Sequence, residues 1–311
     1  MLSVTQIHES TTTPTPLEPR QAAGMPPAPW AATLLGHAVL RWSGYPGRSL
    51  IGSFRRKEGR RRGGRRFRVR TPDGVELDAW HSPALPGTPR RLPVVMLHGW
   101  LEVKECHFRR AWRLNRKGHD VILFDHRAHG RSTGRYATFG VREREDLTAV
   151  IDAASQRGYV GDRVITFGYS MGAATVLQHA PDDPRVAGVV AFAPFADLDE
   201  AVRSFRRKLA PWIDEQWLLA GFERAIRESG FGFEEASTLR AMQRIRVPVL
   251  LVEGTHDANL PPRHHTRKLL AANTHAPVQL LTINGAGHCS LCRRAWPGLN
   301  RTVTSFCASL V

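Results

Sequence analysis

Lysine is nearly missing from this chain: 5 residues stand against 39 Arg in a total of 311. Cysteine is scarce as well, with 4 residues, which excludes a disulfide-stapled scaffold. The N-terminus shows no basic stretch followed by an apolar stretch and a small-residue cleavage site, so the thiols are expected to be reduced in a cytoplasm. Apolar runs are short. The longest, such as 187–196, reach half of the ~20 residues that a membrane-spanning helix needs. The 27 Gly follow no period, which excludes collagen, and neither G-x-G-x-x-G nor a Walker loop is present to cradle phosphates. What remains, 42% hydrophobic and 23% charged residues, suits one large globular domain with a full core.

Charge of one sign is concentrated. Between Arg55 and Arg70 ten basic residues accompany one acid, Glu58, a local +9 out of the net +16. Gly59, Gly63 and Gly64 interrupt the stretch, so it reads as a solvated, mobile loop. Clustered Arg also suits weak contact with an anionic membrane surface. No nucleic-acid-binding motif accompanies it, and no nucleic-acid partner is expected.

Residues 1–29 are rich in Thr and Pro and are expected to be a disordered tail. Residues 30–66 hold a helix and the Arg-rich loop. In the helix Trp30, Leu34, Leu35, Ala38 and Trp42 share one face, which is expected to pack on the domain. From 67 to 311 the text becomes regular. A hairpin over 67–80 turns at Pro72-Asp73-Gly74. Continuous Val/Ile/Leu runs follow at 94–97, 121–125, 164–167, 186–192, 247–252 and 278–283, which marks strands buried on both faces. Helical stretches at 105–117, 141–157, 171–179, 262–273 and 293–310 separate them. Strand and helix in alternation predict an α/β fold, a mostly parallel doubly wound sheet. After the sixth strand, about fifty residues of helical character with Phe205, Trp212, Trp217 and Phe222 predict a helical cap at about 197–243.

In such a sheet the site lies at the carboxyl ends of the strands. After 164–167 comes Gly168-Tyr169-Ser170-Met171-Gly172 and then a helix, which makes Ser170 the candidate nucleophile. A serine hydroxyl needs a base, and the base needs an orienting acid, in the chain order Ser, Asp or Glu, His. Asp257 and His288, each just past a strand end, fill these roles. His256, His264 and His265 read as surface or helix histidines, and Asp197 or Asp199 as a variant source of the acid. An oxyanion needs N–H donors, for which the Met171 and Trp100 backbones are the candidates, with His98 as a structural hydrogen-bonding group. Cys289-Ser290-Leu291-Cys292 tempts a zinc reading, but no second C-x-x-C exists, and Cys106, His107 and Cys307 show no ligand spacing.

These residues resemble the α/β-hydrolase superfamily, specifically its bacterial serine aminopeptidase, lysophospholipase and monoglyceride lipase-like branch. The supporting text is H-G-W at 98–100, F-D-H-R-A-H-G-R-S at 124–132, G-Y-S-M-G at 168–172, A-P-F-A-D-L at 193–198, G-T-H-D at 254–257 and G-A-G-H at 285–288. The resemblance implies hydrolysis of an acyl ester through an acyl-Ser170 intermediate, with no metal or organic cofactor. Asp125, Arg127, His129 and Ser132 match an architectural loop of the family, in which Ala128 replaces the usual Gly. An aminopeptidase would need cap acids for the substrate amine, and Glu200, Asp214, Glu215 and Glu223 are available. Arg203, Arg206, Arg207 and Lys208 would suit an anionic substrate such as a lysophospholipid. A non-catalytic module on the same scaffold is the reading from a different class.

Overall fold

Runs of Val, Ile and Leu that lack polar alternation can only be strands covered on both faces, and they build the centre of the molecule. The computed structural model describes residues 30–41, 50–293 and 298–310. Its strands are β1 (Arg65–Arg70), β2 (Glu76–Ser82), β3 (Val94–Leu97), β4 (Val121–Phe124), β5 (Val164–Tyr169), β6 (Val186–Phe192), β7 (Val249–Gly254) and β8 (Val278–Ile283). They form one sheet in the order β1-β2-β4-β3-β5-β6-β7-β8. The pairs from β4 to β8 are parallel, and β2 runs antiparallel to both β1 and β4. This is the α/β-hydrolase fold.

The helices are α1 (Trp30–Arg41), α2 (Leu50–Arg61), α3 (Phe108–Asn115), α4 (Glu143–Ser155), α5 (Met171–His179), α6 (Leu198–Leu209), α7 (Glu215–Glu228), α8 (Thr238–Met242), α9 (Thr266–Ala272), α10 (His288–Arg293) and α11 (Leu299–Ser309). Alternate residues of a strand serve opposite layers. Val95, Leu97 and Ile122 pack with Leu147 and Ile151 of α4 and Val176 of α5. Val94, Met96 and Leu123 pack with Phe108 and Leu114 of α3 and Phe306 of α11. A third apolar cluster lies under α6 and α7, where Phe195, Leu198, Val202, Leu218 and Phe222 meet Phe139 and Met171.

Several expected elements take a different form. The Arg-rich stretch is not a loop: α2 covers Leu50–Arg61 and β1 covers Arg65–Arg70. Its glycines serve packing, because a Cβ on Gly59 or Gly64 would stand 2.9 or 2.6 Å from the Trp80 indole. Arg56 pairs with Glu105 at 2.7 Å, Arg62 with Glu58 at 2.8 Å, and Arg66 with Asp78. In α1 the face that packs is not the expected one, since Leu34 and Leu35 are 57% and 40% exposed. Ala32, Thr33, Gly36 and Leu40 are buried instead, and α1 lies on α7. The helix expected over 105–117 begins as a 3-10 turn, and the one over 262–273 breaks at His265 (φ −127°, ψ −86°). Of the helix expected over 293–310, α11 starts only after Gly298 (φ 78°), and residues 294–297 lie outside the described residues. The expected tail at 1–29 and Trp42 lie outside the described residues, as do the side chains of Trp30 and Cys292. Among the described residues no helix is long and apolar enough to cross a membrane.

Candidate active site

β5 delivers Ser170 to a turn that few residues other than glycine tolerate, at φ 53° and ψ −115°. The turn is tight because its flanks touch. A Cβ on Gly168 would lie 2.1 Å from the Gly172 carbonyl oxygen, and one on Gly172 would lie 2.6 Å from that of His98. Both positions therefore demand glycine, and the Ser170 hydroxyl is left at the N-terminus of α5, where partial positive charge gathers.

β7 and β8 bring the partners. His288, the first residue of α10, places Nε2 2.9 Å from Ser170 Oγ. Its Nδ1 donates to Asp257 Oδ2 at 2.7 Å, which leaves Nε2 to accept the serine proton. Asp257 Oδ1 accepts from the Asn259 and Leu260 N–H groups at 3.0 and 2.9 Å, so its carboxylate is fixed on both oxygens. Tyr169 donates to the His288 carbonyl at 2.8 Å and stands beside its ring. All three members of the relay are at most 9% exposed. Such an arrangement can take a proton from the hydroxyl as that oxygen attacks.

The rival residues are engaged elsewhere. Asp197 accepts from the Ser237 hydroxyl, and Asp199 lies 3.8 Å from Arg203. His256 is exposed. His265, read as a surface or helix histidine, is fully buried against Ala196 N–H and Ser204 Oγ, and burial pushes its pKa down to about 4.

The turn after β3 faces this relay through its own network. The Gly99 N–H donates to Glu102 Oε2 at 3.0 Å, and the Gly99 carbonyl accepts from His98 Nδ1 at 2.8 Å and from the Glu102 N–H at 3.1 Å. The Leu101 N–H donates to His129 Nε2 at 3.4 Å. The Trp100 N–H, between them, has no partner among the described residues. Underneath, the His126 ring stands edge to face with those of His98 and His129, which are tilted against each other. Burial and the mutual repulsion of the rings hold His98 well below the usual histidine range and His126 at about 3, so these imidazoles are neutral donors and acceptors. His107 donates to Glu102 Oε2 at 3.0 Å. Neither Glu102 nor this role of His129 was legible in the sequence; an acid three residues beyond Gly99 was the available signal.

Below the turn Lys104 is buried between Asp78 and Asp125, with 2.6 Å to each. Arg127 holds Asp146 at 2.6 Å and Asp73 at 2.9 Å. Ala128, in the place of the family glycine, keeps the glycine-like φ of 58°.

Sheet order, strained serine turn and partners on successive strand ends are those of the α/β-hydrolase fold. The family model described as "Serine aminopeptidase, S33" matches residues 88–228. Among known proteins, the chain is 32% identical over 155 residues to the uncharacterized protein YqkD of Bacillus subtilis, covering 46% of this chain and 48% of that one. The chain thus spans about half the length of that relative. It is 26% identical over 226 residues, 72% of each chain, to the uncharacterized protein Rv2307c of Mycobacterium tuberculosis. Among solved structures, the Pyrococcus furiosus esterase Pf2001 superposes with a TM-score of 0.63 at 22% identity, over 79% of this chain and 92% of that one.

Proposed function

We propose that the protein is a serine hydrolase of carboxylic esters, with Ser170 as nucleophile, His288 as general base and then acid, and Asp257 as the group that orients His288. The observation that carries this reading is the relay itself, Ser170 Oγ to His288 Nε2 at 2.9 Å and His288 Nδ1 to Asp257 at 2.7 Å, on a strained turn. Ser170 attacks the ester carbonyl while His288 takes its proton. The tetrahedral oxyanion is met by the N–H groups of Met171 and Trp100. The Trp100 N–H suits this role because its neighbours on the turn are already bonded. Collapse expels the alcohol, which receives the proton from His288, and water then releases the acyl group by the same steps.

The cap favours an ester over a peptide amine. Glu200 pairs with Arg207, Glu215 with Arg203 and Arg206, and Glu223 with Arg227. Asp214 accepts from the Trp217 N–H at 2.8 Å. Every cap acid proposed for a substrate amine is thus engaged, and the same pairs neutralise the cap arginines proposed for an anionic substrate. Next to the Trp100 ring lie Phe139 and Phe205, each 6.4 Å away, and these suit an apolar acyl chain. The Pyrococcus furiosus esterase Pf2001, similar in fold, agrees with this class.

A fluorophosphonate probe together with p-nitrophenyl esters of increasing chain length tests the reading. The wild type should be labelled and active. Ser170→Ala should lose labelling and lower kcat/KM by roughly a thousandfold or more, and adding His288→Ala should cost little further, because the residues act as a unit. An unlabelled wild type with no esterase activity would leave a binding module on this scaffold. Faster turnover of aminoacyl anilides than of esters would move the activity to the aminopeptidase class.

A further inference from the structure

α2 and α3 lie fifty residues apart in sequence and side by side in space. Gly59 stands where a Cβ would come 3.3 Å from the Phe108 ring, and the Arg62 guanidinium covers the Trp112 ring at 4.5 Å. Their outer faces therefore merge. Lys57, Arg60 and Arg61 on α2, with Arg109, Arg116 and Lys117 beside them, are exposed and have no carboxylate partner among the described residues. Arg113, between these two groups, is partly buried and has its pKa lowered, first by that burial and then by the charges of Arg110, Arg116 and Arg109. So many uncompensated like charges cost stability unless an anionic surface meets them.

The same face carries an apolar tip. Leu85 is 51% exposed, and its N–H donates to the Asn115 carbonyl at 2.9 Å, which fixes it beside Arg116 and Lys117. A large exposed aliphatic side chain beside two basic residues matches a lipid interface, with the leucine entering the acyl boundary and the cations resting at the headgroups. It matches a nucleic acid poorly. Base stacking needs an open aromatic face, and the Trp112 face is already taken by Arg62.

We infer that the composite basic face of α2 and α3, with Leu85 at its tip, docks the protein on an anionic phospholipid surface. This docking is independent of the hydrolytic reading, and its test uses no turnover.

The full chain is sedimented with vesicles of phosphatidylcholine alone and of phosphatidylcholine carrying phosphatidylglycerol. It should pellet with the anionic vesicles only, and should be released as added salt shortens the Debye length from about 10 Å at 0.1 M to about 3 Å at 1 M. Reversing three exposed charges (Arg60→Glu, Arg61→Glu, Arg116→Glu) should lower the vesicle partition by about a hundredfold or more, as each of the three cations near such a surface contributes roughly fivefold. Leu85→Ser should lower it by about threefold or more. Near-UV circular dichroism checks that the charge variant is folded, and the Leu85 variant, which alters no charge, keeps the test open if it is not. Equal pelleting with neutral vesicles, wild-type partition of both variants, or displacement from vesicles by duplex DNA at equal phosphate concentration would overturn the inference.

Discussion

Glu102 sets the shape of the turn that presents the Trp100 N–H, the donor proposed for the oxyanion. One carboxylate oxygen takes the Gly99 N–H and is itself held by His107. With Gly99 and Leu101 tied down, the Trp100 N–H has a fixed direction, and a preorganised donor of this kind is worth roughly a hundredfold in rate or more. Glu102→Ala should therefore lower kcat for a p-nitrophenyl ester by about tenfold or more with KM within about threefold, while Glu102→Gln, whose amide oxygen can still accept from Gly99, should recover most of it. A rise in KM at unchanged kcat would make Glu102 a substrate contact instead. At this scale the relay was legible in the sequence because each member follows a strand end and sits in a short motif. Glu102 was not, because a lone acid in a loop has no periodicity and its partner, a backbone N–H, leaves no trace in the text. Ala128 shows the opposite case: its departure from the family glycine was visible, and the structure adds that the backbone kept the φ of 58° that glycine prefers.

Among the elements, α1 shows how an apolar count can mislead. Leu34, Leu35 and Ala38 gave the helix its apparent inner face, but helix contact is decided by how closely backbones approach. A Cβ on Gly36 would come 2.8 Å from the Ala225 Cβ, and one on Gly221 would come 2.2 Å from that of Ala32. Small residues at a spacing of four on both helices let α1 lie directly on α7. His37 pairs with Glu228 at 2.6 Å at its side, and Leu40 offers its carbonyl to the Ala137 N–H at 2.9 Å. Gly221→Val should force the two helices apart, lowering stability by about 1–3 kcal/mol, as overpacking does. Urea melts followed by tryptophan fluorescence would measure it, and a variant as stable as the wild type would mean that α7 shifts without cost. Strands read more clearly than helices here. The runs 94–97 and 186–192 coincide with β3 and β6, where burial on both faces leaves unbroken apolar text, whereas the run 278–283 coincides with β8 at the sheet edge, where Gln279 and Thr282 are exposed. Helix ends at His265 and Gly298 were missed because they depend on backbone turns rather than on side-chain pattern.

For the whole molecule, the buried histidines couple folding to pH. Burial, as the largest cause, lowers His98, His119 and His129, brings His126 to about 3 and brings His265 to about 4. The unfolded chain titrates its histidines near 6.5, so above that pH both states are neutral and nothing is lost. Below it the unfolded chain binds protons that the folded chain refuses, and stability falls with the pH by about 1.4 kcal/mol per pH unit for each such histidine. Asp146 works the other way, because burial raises it to about 6 despite its bond to Arg127, so below that pH the folded state gains one proton in compensation. Carboxylates held low by cations, such as Asp78 beside Lys104 and Arg66, add their losses only below about pH 4. The free energy of unfolding should therefore be flat between pH 8 and 7 and should fall by at least ~1 kcal/mol between pH 6.5 and 5, with a net uptake of protons on unfolding. His126→Gln, which keeps a donor for the His98 carbonyl, should reduce that uptake by about one proton. Denaturant melts across this range read the slope directly. A curve that stays flat to pH 5 would mean that the imidazoles beneath the Trp100 turn accept protons in the folded state, and that the turn they support can rearrange to admit the charge.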